Sequence, residues 1–220
     1  MACISIRKAA AAGLLFGGTL GLAAPAVGGV TVQSTRALFA SGTAGSPPAY
    51  VGPAAFLETP FSPSGPWGLM SASVNASGFE VSAITLAPEG ASYGFGMAVA
   101  VQFGVAQETV LSVDLSRFAT GLSDDFVLRV VEWDLATNQE VDGPPVWSLA
   151  SSTANGIYTK TLGTLQAGRA YQFGYSESWF TDEDFSSVSG GISVTFTEVP
   201  APGAAALLAA AGLVGSRRRR

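Results

Sequence analysis

The sequence predicts an all-β protein, built as a single antiparallel β-sandwich of jelly-roll or immunoglobulin-like type and flanked by an N-terminal signal helix and a short apolar helix near the carboxyl end. Apolar and polar residues alternate with a period of two along several segments in the middle of the chain, as in strands with one buried face. Turn sequences rich in Gly, Pro, Asn and Asp separate these segments. No internal segment carries an apolar stripe with helical spacing for more than two turns.

The alternation is clearest in four segments, in which large apolar residues occupy every second position: 97–105, 111–115, 171–175 and 192–196. Residues 126–135 form a longer candidate strand, where Glu132 and Asp134 interrupt the apolar face and predict a bulge or an edge. Shorter candidates raise the total to about nine strands, a number typical of a sandwich: 31–39, 79–86, 145–149 and 158–162.

Two further segments have their own character. Residues 41–66 hold six of the 12 prolines and only one charged residue, Glu58, and predict an irregular excursion on the sandwich. Residues 161–171 resemble the hairpin of leucine, glycine turn and tyrosine strand that is common in exported β-sandwich modules, and predict a hairpin there.

The composition excludes several kinds of chemistry. The chain of 220 residues has no histidine and a single cysteine, Cys3. Ser-His-Asp and Cys-His catalysis, His-ligated zinc or haem, and an internal disulfide are therefore excluded. Charged residues make up only 12% of the chain, about half the usual share.

Residues 1–26 are typical of a secretory signal peptide. Arg7 and Lys8 precede an apolar run at 9–23, and Ala24 and Ala26 place small residues where a signal peptidase reads the chain. We therefore expect cleavage after Ala26, which also removes Cys3. A short membrane anchor is the alternative, but the run is shorter than the roughly 20 residues that a membrane span needs.

The carboxyl end has three parts in a characteristic order. Val199, Pro200, Ala201 and Pro202 precede an Ala- and Leu-rich run at 203–214. As a helix this run reaches roughly 20 Å, against a hydrocarbon core of about 30 Å. The chain then ends in four arginines, which would hold that end on the cytoplasmic side of a membrane: Arg217, Arg218, Arg219 and Arg220.

This tail, residues 199–220, resembles the PEP-CTERM sorting signal of exported bacterial proteins, with Ala201 where that family usually has glutamate. The resemblance implies recognition of Val199, Pro200 and Pro202 by an exosortase-type processing enzyme. It also implies transient anchoring in the inner membrane and delivery to the cell envelope or the extracellular matrix of an exopolysaccharide-producing cell. A plain tail anchor is the alternative interpretation.

Residues 27–198, which form the predicted sandwich, carry a strongly negative charge. They contain five basic and 16 acidic side chains, a net charge of −11. Nucleic-acid binding is not expected, because it requires a basic face for the phosphates. Oxygen-rich loops could hold Ca²⁺, and Asp182 and Asp184, in the densest acidic run near Glu177, are the candidate ligands. A solvated acidic loop is the plainer interpretation, and no other cofactor is expected.

Four tryptophans offer flat apolar faces that suit sugar rings. Trp67 and Trp179 lie beside turn or acidic residues and are candidate ligand-binding aromatics, whereas Trp133 and Trp147 lie in strand patterns and are expected in the core. The first hypothesis is a non-enzymatic exported surface or matrix protein. The alternative is a carbohydrate-binding module, and a polysaccharide hydrolase, which needs two facing carboxyl groups, ranks third.

Overall fold

The fold is described from a computed structural model, which covers residues 26–27, 29–43, 49–65, 68–85, 93–119, 125–150, 156–181 and 188–199. These residues form strands and connecting turns, with no helix among them. The strands are β1 (Ala26–Val27), β2 (Val30–Thr43), β3 (Ala49–Ala54), β4 (Ser64–Gly65), β5 (Gly68–Asn75), β6 (Gly78–Thr85), β7 (Tyr93–Val105), β8 (Thr109–Ala119), β9 (Asp125–Asp134), β10 (Gln139–Glu140), β11 (Trp147–Ala150), β12 (Gly156–Leu165), β13 (Arg169–Thr181) and β14 (Val188–Glu198).

The strands form two antiparallel sheets, as predicted. The eight-stranded sheet has the order β1-β2-β7-β13-β9-β10, with β3 also paired to β2 and β11 to β9. The six-stranded sheet has the order β12-β8-β14-β6-β5-β4. From β6 onward the long strands alternate between the two sheets along the chain, so most pairings join segments that are distant in sequence.

The two sheets share one hydrophobic core. Alternate residues of the central strands are buried there, including Val99, Val101 and Phe103 of β7 and Ile192 and Val194 of β14. Ring contacts cross between the sheets: Phe79 packs edge-to-face on Phe173, and Phe103 lies 4.9 Å from Phe196, centroid to centroid. The sheets therefore pack face to face as a β-sandwich.

The hairpin predicted at 161–171 is wrong: its two strands do not pair with each other, and the segment instead connects the two sheets. Strand β12 belongs to the six-stranded sheet and β13 to the eight-stranded sheet. The turn between them is held by Tyr171, whose hydroxyl accepts a hydrogen bond of 3.0 Å from the backbone N–H of Gln166. Tyr171 is 3% exposed, so this corner is part of the core, in the manner of the tyrosine corner of immunoglobulin-like sandwiches.

Two further expectations, about strand β9 and about Trp133, were wrong. Strand β9 lies between β13 and the short strands β10 and β11, and its pairing with β13 has no register shift, so it is neither bulged nor an edge. The excursion at 41–66 contains strand β3, but its pairing with β2 is irregular, with a register shift between Ala37 and Phe39 and a cis Gly52–Pro53 bond. Residues 55–63 form a bend and irregular backbone. Trp133 is half-buried outside the core, where its indole N–H donates to Asn138 Oδ1, whereas Trp147 packs against the core as expected.

Candidate functional site

The outer face of the six-stranded sheet carries a row of small polar residues. Core residues of β14 alternate with outward-facing Gly191 and Ser193, and the same alternation applies to its neighbours. The register aligns one residue from each of five strands in a row across the sheet: Ser71, Ser82, Gly191, Ser116 and Ile157.

A parallel row, two residues further along each strand, contains two carboxyl groups. Glu80 of β6 and Asp114 of β8 each pair with Ser193 of β14, one on either side. Adjacent strands lie about 4.8 Å apart, so the two acidic residues are separated by roughly 10 Å across the sheet. Both are exposed, and Glu80 Oε1 accepts a hydrogen bond of 3.1 Å from Asn75 Nδ2.

These two rows line an open groove of about 270 Å³. Gly191 forms part of its floor: a β-carbon there would lie 3.1 Å from the carbonyl oxygen of Val81 and 3.4 Å from Ser116 Oγ. The glycine therefore keeps the groove open where any side chain would fill it. The groove ends at Ile157 on the edge strand β12, which is 73% exposed.

The groove offers hydroxyl groups as donors and acceptors and carboxylates as strong acceptors. No basic or aromatic side chain lines it among the described residues: its polar lining consists of Ser71, Ser73, Ser82, Ser116, Ser193, Glu80 and Asp114. Such a surface fits a ligand that is rich in hydroxyl groups. A phosphate would find no described cation in this lining to pair with its charge.

A second polar cluster lies on the outer face of the eight-stranded sheet. Gln102 accepts a hydrogen bond of 2.7 Å from Ser34 Oγ and donates through Nε2 to Gln172 Oε1 and Asn138 Oδ1. Gln102 is only 5% exposed, because the β9–β10 turn that carries Asn138 folds over it. These amides satisfy one another, so the cluster holds the turn against the sheet and leaves little for a ligand.

Most site residues predicted from the sequence lie outside the described residues: Ala24, Trp67, Asp182, Asp184, Pro200, Pro202, Arg217, Arg218, Arg219 and Arg220. The same applies to the predicted terminal helices. Trp179 is a residue of β13 whose backbone pairs with Phe95, but its side chain is not described. Glu177, expected near the acidic run, is 1% exposed and accepts a hydrogen bond from the Tyr175 hydroxyl. It is therefore part of the interior rather than a surface ligand.

The two ends of the described domain meet at the turn between β7 and β8. The N–H of Ala106 donates to the carbonyl of Gly29 at 2.7 Å, and the N–H of Val199 donates to the carbonyl of Glu108 at 2.8 Å. Ala26, at the expected cleavage site, pairs with Thr31 in the adjacent hairpin. The first and last described segments of the domain thus lie at the same end of the sandwich.

The described residues lack two features: a helix that could span a membrane and a cluster of metal-binding side chains. No helix there is long and apolar enough to cross a membrane. No group of three or more side chains of the metal-binding types Cys, His, Asp and Glu lies close enough together to hold an ion in that part of the chain.

Comparison with known proteins adds no family assignment: no protein-family model matches the chain, and neither does any curated protein. One solved structure is the enzymatically active domain of tailspike protein 4 of bacteriophage CBA120, similar at 8% identity over 64% of this chain and 19% of that chain, with a TM-score of 0.32. Another belongs to the carbohydrate-binding modules of the β-sandwich superfamily, at 8% identity over 82% of this chain and 96% of that chain, with a TM-score of 0.32. At these values neither likeness indicates a ligand or an activity for this chain.

Proposed function

We propose that this chain is an exported, non-enzymatic protein whose β-sandwich binds a polysaccharide through the groove on the six-stranded sheet. The observation that carries the proposal is the hydroxyl-lined groove that crosses five strands. Four interstrand spacings give it a length of roughly 19 Å, and it is open to solvent, so a long polymer can lie across it. Sugar hydroxyls would pair with its serines and donate charge-assisted hydrogen bonds to Glu80 and Asp114.

Binding rather than hydrolysis is supported by the exposure of the two carboxyl groups. A glycosidase needs one carboxyl group protonated near neutral pH, which burial in an apolar pocket achieves. Glu80 and Asp114 both face solvent on an open sheet. Neither has the surroundings of a general acid.

A second candidate is a structural surface or matrix protein that binds no glycan. It is supported by the lack of an aromatic side chain among the described residues that line the groove, since stacked rings are a common means of holding sugars. Trp67 and Trp179 remain candidate sugar-binding aromatics for the first function, and Trp67→Ala and Trp179→Ala belong in the same assays.

The test is a glycan array followed by affinity electrophoresis in gels that contain the polysaccharides bound. Gly191→Val fills the groove floor and should abolish retardation. Gly174→Val is the matched control on the outer face of the other sheet, where a β-carbon meets only the Arg129 stem at 3.7 Å. Equal retardation of both variants, or no polysaccharide bound by the parent protein, would overturn the assignment.

Sorting by the tail is the other part of the proposal. The hydrogen bond from Val199 to Glu108 supports it, because the sandwich extends to the first residue of the resembled motif. After removal of the leader by signal peptidase, the apolar run would anchor the protein in the inner membrane until an exosortase-type enzyme acts. Replacing Arg217, Arg218, Arg219 and Arg220 with serine should reduce delivery to the envelope, as measured by cell fractionation. Unchanged delivery would count against the tail.

A further inference from the structure

We infer that the groove selects uncharged polysaccharides and rejects polyanionic ones. This inference rests on the proposed function and deepens it, since it names the class of chain that the groove accepts. Its basis is the placement of Glu80 and Asp114 on either side of Ser193, so that a polymer lying across the five strands passes both carboxylates.

No basic side chain that the structure describes offsets these two charges at the groove; the side chain of Arg117, next to Ser116 on β8, is not described. Among residues whose side chains are described, the basic ones lie elsewhere. Lys160 of β12 sits over the Trp147 ring, 5.3 Å from its centroid, at the side of the sandwich. Arg129 and Arg169 belong to the eight-stranded sheet and form ion pairs with Glu140 and Glu132. Arg36 lies on β2 of that same sheet.

The two carboxylates would act differently on the two classes of chain. Hydroxyl groups of a neutral sugar donate to them, in charge-assisted hydrogen bonds that are stronger than neutral ones. A uronate or sulfate at the same place has no proton to donate and meets two like charges. Repulsion between the anionic group of the polymer and these two exposed carboxylates weakens binding by roughly ten-fold at low ionic strength. Salt screens this repulsion.

The net charge of −11 on residues 27–198 would also repel a polyanion, wherever it bound. The local and the global effects can be separated with two double variants that change the net charge equally. Glu80→Gln with Asp114→Asn neutralises the groove. Glu58→Gln with Asp142→Asn is the matched control, because both residues are exposed in turns outside the groove.

The experiment measures binding to dextran, hydroxyethyl cellulose and galactomannan, each paired with its carboxymethylated derivative, at 20 mM and 500 mM NaCl. We expect each neutral polymer that binds to bind roughly ten-fold more tightly than its derivative at low salt, with the ratio shrinking at high salt. The groove double variant should lose most of this ratio, whereas the control double variant should keep it.

The failures of the two proposals are distinguishable. Equal binding of a neutral polymer and its derivative, or tighter binding of the derivative, would overturn the charge selection and leave polysaccharide binding in place. An equal loss, in both double variants, of the preference for the neutral polymer would show that net charge, rather than the groove, excludes polyanions. That result would also overturn the charge selection. Binding of no polymer by the parent protein would overturn the proposed function together with this inference.

Discussion

Phe79 of the six-stranded sheet and Phe173 of the eight-stranded sheet meet edge-to-face across the core, with ring centroids 4.9 Å apart and planes at 71°. Both rings are fully buried. Their strands, β6 and β13, are far apart in sequence and in different sheets. The pair therefore reports directly on whether the two sheets are packed together.

Removing one of these rings should lower the free energy of unfolding substantially. We expect Phe173→Ala to cost about 3–5 kcal/mol, through lost burial and the cavity left behind. Urea denaturation is the measurement, and a double-mutant cycle with Phe79→Ala should give a coupling of about 0.5–1.5 kcal/mol. Val127→Ala is the control, since that side chain is 42% exposed. Equal effects of Phe173→Ala and Val127→Ala would contradict the packing of the sheets.

The corner at Tyr171 should be sensitive to loss of a single oxygen. Tyr171→Phe keeps the ring in the core but leaves the N–H of Gln166 without its acceptor. We expect a loss of about 1 kcal/mol in stability, measured by urea denaturation. Tyr50→Phe, at a residue 46% exposed, should change it little. A Tyr171→Phe protein as stable as the parent would contradict the role of the hydroxyl.

The pKa of Asp134 is lowered from its ordinary value by hydrogen bonds within its own turn. The Thr137 hydroxyl and the N–H groups of Ala136 and Thr137 donate to this carboxylate and lower its pKa below 3.8. Because the pKa is lower in the folded chain, the stabilisation is present above 3.8 and is lost as the pH falls through the folded value.

An NMR titration of the carboxyl carbon tests this. The titration midpoint of Asp134 should lie below 3.8 in the parent protein. It should move upward in Thr137→Val, which removes the hydroxyl that lowers the pKa most. Thr159→Val, an exposed position on β12, should leave the midpoint unchanged. A parent midpoint at or above 3.8 would be inconsistent with the hydrogen bonds of this turn.

The exported protein should begin at Val27. Cleavage after Ala26 leaves Val27 opposite Val30 in the first hairpin of the domain. Intact-mass spectrometry of protein from the envelope fraction is the measurement. Ala24→Leu with Ala26→Leu should block processing, because signal peptidase requires small side chains at these positions. Recovery of a chain that starts at Met1 from the parent strain would refute the leader.

If Asp182 and Asp184 hold Ca²⁺, the ion should raise the melting temperature, since a ligand that binds only the folded state stabilises it. We expect a higher midpoint in calcium chloride than in a chelator, and loss of the difference in Asp182→Asn with Asp184→Asn. Glu140→Gln with Asp142→Asn, which removes two charges elsewhere, should retain the difference. An unchanged midpoint in the parent protein would rule against the ion.

Strand positions were predicted well where one face of a strand is buried. The alternation at 97–105 and 192–196 reappears as core residues of β7 and β14. Residues 68–75 alternate more weakly and were not predicted as a strand. They nevertheless form β5, with Met70 and Ala72 in the core. Trp133 was misplaced because its strand has apolar residues on both faces, so the pattern could not tell which face is the interior.

The groove could not be predicted, because its members come from strands that are not neighbours along the chain. Ser82, Gly191 and Ser116 belong to β6, β14 and β8, which become adjacent only through the order of strands in the sheet. In the sequence, each serine appears only as a polar residue that alternates with residues of the buried face. Nothing local marked Glu80 and Asp114 as members of one row.

By itself the sequence determined the all-β class, the periodicity that selects one buried face for each strand, the strongly acidic middle and the absence of histidine chemistry. These are local or additive properties, and they follow from the sequence without knowledge of which residues are neighbours in the folded protein. Only the tertiary structure decided which strands pair, that Phe79 meets Phe173, and that two carboxylates flank Ser193 on an open face. Those relationships depend on strand order and register, which arise from long-range packing of the two sheets.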